Sequence, residues 1–140
     1  MVLEDYSCVL CNSGQEETSF HLFFECTFSQ ACWNTIPIIW NLSLQPLDMI
    51  IEARTSFGNN IFREIFITAR WIIWLARNEV IFDNGQIDIN AWKRHFREEF
   101  GLVCTKAKQL GSNNLDSGEI ALCDLLFSFF LGHCCLVICT

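Results

Sequence analysis

The chain has 140 residues, enough for one domain or for a domain with a tail. Hydrophobic residues make up 51% and aromatics 14%, which excludes a disordered chain. A formal net charge of −7 argues against a strongly basic nucleic-acid-binding surface over the whole molecule.

The charge is uneven. Residues 1–62 carry one basic residue against seven acids, residues 63–108 eight against six, and residues 109–140 three acids with no Lys or Arg. There are nine cysteines. An odd number, without a signal-peptide pattern at the N-terminus, points to a reducing compartment. The expected location is therefore intracellular, in the nucleus or cytoplasm, with a membrane as the alternative.

The first elements lie between Cys8 and Cys26, in the stretch CVLCNSGQEETSFHLFFEC. Cys8, Cys11, His21 and Cys26 follow a C-x2-C-x9-H-x4-C spacing. Three thiolates and one imidazole suit a closed tetrahedral zinc site with a structural role. The two-residue gap lets Cys8 and Cys11 present both sulfurs from one tight turn. A short helix, capped by Thr18 and apolar at Phe20, Leu22, Phe23 and Phe24, carries His21 and ends before Cys26. The rival reading is a set of buried thiols with a core histidine. Four donors in one short window favour the metal.

A short helix is expected from Phe28 to Ile36, capped by Ser29, stopped by Pro37, and buried through Phe28, Cys32, Trp33 and Ile36. Trp40 and Leu42 continue an apolar linker. A second short helix is expected from Pro46 to Arg54, with Pro46 in the first turn and a loop from Thr55 to Asn60. The longest helix is expected from Ile61 to Phe82, capped by Asn60. Its apolar face is Phe62, Ile65, Phe66, Ala69, Ile72, Ile73, Ala76 and Val80. Arg63, Arg70 and Arg77 lie along one side and read as a solvated face. After a turn at Asp83-Asn84-Gly85, a helix over Asn90–Gln109 buries Ile89, Trp92, Phe96, Phe100, Val103, Ala107 and Leu110. A short polar connection makes the two long helices an antiparallel pair. Trp71, Trp74, Trp92, Phe96 and Phe100 are expected in the core, as are Cys32 and Cys104. His95 is expected in solvent.

The sequence thus divides into a finger at 6–36, a helical region at 37–110, a polar linker at 111–119 and an apolar tail at 120–140. The fold class is mainly α: a small CCHC finger, then short helices and a long helix pair. Residues 120–139 reach the length of a membrane span but are broken by Asp124, Ser128, Gly132 and His133. They read either as a tail anchor or as an unselected extension.

Several motifs resemble the zinc-binding domain at the C-terminal end of plant non-LTR retrotransposon reverse transcriptases. They are Cys8-Val9-Leu10-Cys11, Glu17-Thr18, His21-Leu22-Phe23-Phe24 with Cys26, and Phe28-Ser29 with Trp33. Trp71-Ile72-Ile73-Trp74, Ala76-Arg77-Asn78 and Ile81-Phe82 resemble that family's W-x-x-W-x-x-R-N-x-x-x-F helix, and Trp92-Lys93 to Phe100 with Thr105-Lys106-Ala107-Lys108 resembles the helix after it. The resemblance spans roughly residues 6–109. It implies one zinc ion held by Cys8, Cys11, His21 and Cys26, and a nucleic-acid or protein contact. The chain departs from the family's polymerase, having no Tyr-x-Asp-Asp cluster to hold two metal ions. The family's segment before the first cysteine is also missing, which suggests a retroelement remnant.

No catalytic constellation is visible, so the chain is read as a non-enzyme. Glu16 and Glu17 in the finger, with no basic residue beside them, make strong phosphate contact by the finger unfavourable. The first functional reading is a non-catalytic zinc-binding module with weak nucleic-acid contact. The alternatives are a small membrane protein anchored through residues 120–139 and a helical protein-interaction module with an unknown partner.

Overall fold

A computed structural model describes residues 5–109, with side chains through residue 106. The described chain is mainly helical, with no strand beyond one isolated bridge, Ser7 to Glu16. A π-helical turn at His21–Glu25 is followed by α1 (Thr27–Trp33), α2 (Pro46–Phe57), α3 (Phe62–Phe82) and α4 (Ile89–Gln109). The expected tail at 120–140 lies outside the described residues, as does the linker at 111–119. No helix among the described residues is long and apolar enough to cross a membrane.

The long helices form where the apolar period is strongest. α3 buries Phe62, Ile65, Ala69, Ile72 and Ile73, and Phe66, Ala76 and Val80 pack against them at the edge. Thr68 is buried too, a position the apolar pattern does not mark. α4 buries Trp92, Phe96, Phe100 and Cys104, one residue per turn. Val103, expected on that face, is only half-buried, and the side chains of Ala107 and Leu110 lie outside the described residues. α3 and α4 fold back against each other as an antiparallel pair, and α1 packs on both.

The capping differs from expectation in two places. Asn60 does not cap α3: the N-cap residue is Ile61, with no side-chain cap bond, and the Asn59 side-chain oxygen accepts the Ile61 N–H at 3.0 Å just before the helix. α2 also runs one turn further than Arg54, through Thr55, Ser56 and Phe57. Gly58 ends it at φ 71°, a left-handed conformation that glycine adopts without the Cβ clash.

The tryptophans divide. Trp92 is fully buried, whereas Trp71 is 53% exposed and Trp74 38%. Their expected place in the core is thus corrected. With Ile67, Leu75 and Phe82, also exposed, they lie on the side of α3 opposite its buried face. A helix apolar on two sides can bury only one of them against a single partner layer.

The arginine row of α3 is not a plain solvated face. Arg77 donates from Nε to Glu17 Oε1 at 2.8 Å and lies over the Trp74 ring. Arg70 rests on Phe23 and Phe66, its guanidinium 4.4 Å and 5.1 Å from their ring centres. Both contacts tie the N-terminal segment to α3. Between them sits an aromatic cluster in which Phe24 and Trp33 each meet Trp40 at 5.0 Å, and Phe66 meets Trp40 at 5.5 Å.

Candidate metal centre

Two short segments supply the donors. The first is a knuckle. The Cys8 N–H donates to the Gln15 carbonyl at 2.9 Å, and the Glu17 N–H to the Tyr6 carbonyl at 2.8 Å. These bonds close a loop whose tight turn carries Cys8 and Cys11, while Gly14 takes φ 70° to reverse the chain.

The second segment carries His21 and Cys26. The Thr18 hydroxyl accepts the His21 N–H at 3.0 Å, the capping contact expected from the sequence. At 3.6 residues per turn, a residue five positions on from His21 would point about 140° away. The chain instead makes an i→i+5 turn, with the Cys26 N–H donating to the His21 carbonyl at 2.7 Å. This widened turn takes up the extra residue and returns Cys26 to the side of His21. Cys26 then stands at the start of α1.

α1 holds the turn in place. Ser29, expected as a helix cap, is instead buried, and its hydroxyl donates to the Leu22 carbonyl. Trp33 Nε1 donates to the Phe23 carbonyl at 2.7 Å. Phe28, Cys32, Trp33 and Ile36 are all buried, as the sequence pattern implies.

The four donor atoms of Cys8, Cys11, His21 and Cys26 lie within 4.8 Å of one another, and all four residues are buried. It is the one such convergence of three or more His, Cys, Asp or Glu donors among the described residues. Cys8 Sγ is 3.8 Å from Cys26 Sγ, and Cys11 Sγ is 3.3 Å from His21 Nε2. With zinc–sulfur bonds of about 2.3 Å, a tetrahedron has sulfur–sulfur edges of about 3.8 Å and sulfur–nitrogen edges of about 3.5 Å. The Cys8–Cys26 and Cys11–His21 pairs lie close to these edge lengths, and all four donors fall within 4.8 Å, so the cluster could bind a metal ion.

The surroundings set the charge of each thiol. Burial pushes Cys8 up to about 12, against the Leu10 amide, which favours its thiolate. Burial also raises Cys26, against the amides of Ser29 and Phe28. Burial works to raise Cys11 as well, but the Ser13 hydroxyl and amide, with the His21 ring, outweigh it and bring the thiol down to about 6. The Ser13 hydroxyl lies 3.0 Å from Cys11 Sγ. The other ring nitrogen of His21, Nδ1, faces Glu25 Oε2 at 3.6 Å.

Cys32 and Cys104 are buried but do not belong to this donor set, as expected. Burial raises the Cys32 thiol, which marks it as an inert core residue. His95 is exposed, also as expected. Ser13 and Glu25 are the neighbours that spacing alone did not single out. The available signal for Glu25 was its position four residues after His21, one turn along the same helix.

No protein-family model, curated protein or solved structure matches this chain.

Proposed function

We propose that this protein is a non-catalytic module built on one structural zinc ion, held by Cys8, Cys11, His21 and Cys26. The observation that carries the reading is the convergence of these four buried donors within 4.8 Å. Zinc suits the set because it accepts mixed thiolate and imidazole ligands without a geometric preference of its own. Four protein donors leave no open position for water, so the role is architectural rather than hydrolytic.

The resemblance to the zinc-binding domain of plant non-LTR retroelement reverse transcriptases adds a context of nucleic-acid or protein contact. Nucleic-acid contact in this chain is weak. Arg77 is engaged with Glu17, Arg70 rests on two rings, and the finger itself is acidic at Glu16 and Glu17. Few cations remain on that side to displace counterions from a phosphate backbone. The membrane alternative turns on residues 120–139, which lie outside the described residues.

Titration of the purified full-length chain with Zn(II), and separately with Co(II), tests the reading. One equivalent should bind, with the Co(II) form showing tetrahedral ligand-field bands and thiolate charge transfer. Cys8→Ser should lose both. Less than one equivalent, unchanged by Cys8→Ser, would remove the proposal.

A further inference from the structure

His21 is buried, and its two ring nitrogens face different partners. Nε2 lies among the sulfurs, 3.3 Å from Cys11 Sγ. Nδ1 is buried and has no hydrogen-bond partner. A neutral imidazole that ligates through Nε2 must carry its proton on Nδ1. That places a donor N–H in a site closed to water, and an unmatched buried donor is costly.

The group positioned to accept it is Glu25. Its carboxylate oxygen lies 3.6 Å from Nδ1, slightly beyond bonding distance. Glu25 follows His21 by four residues on the same turn, so the two side chains share a face. Its side chain is 46% exposed, which leaves it room to turn toward Nδ1. The adjacent Cys26 fixes the backbone on the other side of the site.

We infer that Glu25 is the positioning carboxylate of the metal centre: it accepts a hydrogen bond from the Nδ1–H of His21 and fixes the ring with Nε2 toward the ion. The inference rests on the zinc reading above and assigns a role to a residue outside the ligand set. Outer-shell carboxylates of this kind are typically worth about tenfold to a hundredfold in metal affinity. The half-exposed setting places Glu25 at the lower end.

The test compares full-length parent, Glu25→Ala and Glu25→Gln by zinc competition against a chromophoric chelator. Each zinc-loaded form is also examined by nitrogen-15 correlation spectra of the His21 imidazole. Glu25→Ala should bind zinc about tenfold more weakly. Glu25→Gln keeps an oxygen that can accept the proton, and should recover part of that loss. The Nδ1–H resonance should shift or broaden in Glu25→Ala, while one equivalent of zinc still binds. A loss below threefold, or an Nδ1 signal identical to that of the parent, overturns the inference. A parent chain that binds no zinc overturns the underlying reading instead, so the two failures are distinct. A fall in affinity with an unchanged Nδ1 signal assigns the effect to packing, and also overturns it.

Discussion

The three cysteines of the candidate metal site differ in how tightly each holds its proton. Burial holds the Cys8 thiol up at about 12 and raises Cys26, while Ser13 and His21 overcome burial at Cys11 and hold it at about 6. Zinc requires all three as thiolates. At pH 7.5 Cys8 and Cys26 must therefore each give up a proton, whereas Cys11 is already charged. Affinity consequently rises with pH and falls in acid, because protons compete with the ion at the raised thiols. Calorimetric titration in two buffers of different ionisation enthalpy should report release of about two protons per zinc, one each from Cys8 and Cys26. Release close to zero, or close to three, would contradict this picture. The clustering of the four donor residues was legible in the sequence because donor chemistry is written in residue type and spacing. Ser13 and Glu25 were not, because an outer contact depends on where a side chain turns after the backbone has folded.

Elements show the same division. The period of α3 and α4 read correctly because burial of one helix face leaves a regular trace in the sequence. The fate of Trp71 and Trp74 did not, because α3 carries apolar residues on both sides and periodicity does not say which side meets α4. Ser29 was misread for another reason: a serine near a helix start looks like a cap, and only the packing of α1 on the π-helical turn sends its hydroxyl to Leu22. The two sides of α3 should respond differently to substitution. Ile73 is fully buried, so Ile73→Ala should cost about 2–5 kcal/mol. Trp71 is 53% exposed, and Trp71→Ser should cost no more than about 1 kcal/mol. Urea unfolding of the zinc-loaded full-length variants measures both, and equal losses would contradict the assignment of faces.

At the scale of the whole molecule, the finger and the helices are one packed body among the described residues. Phe24 and Trp33 from the N-terminal segment share an aromatic cluster with Trp40 and Phe66, and Glu17 meets Arg77 across the same boundary. The candidate metal site thus belongs to a continuous core rather than to a separate bead. His21 and Cys26 bound the π-helical turn, the turn carries Phe23 and Phe24, and those rings meet α3 through Arg70 and Phe66. Long-range joins of this kind were not legible in the sequence. Glu17 and Arg77 are 60 residues apart, and nothing in either local pattern announces the other.

The central claim is that these four donors share a single ion. X-ray absorption at the zinc edge of the loaded full-length chain tests it directly. The account predicts a four-coordinate shell of three sulfurs at about 2.3 Å and one imidazole nitrogen at about 2.0–2.1 Å. A shell with fewer than three sulfurs, or one dominated by oxygen, would contradict it.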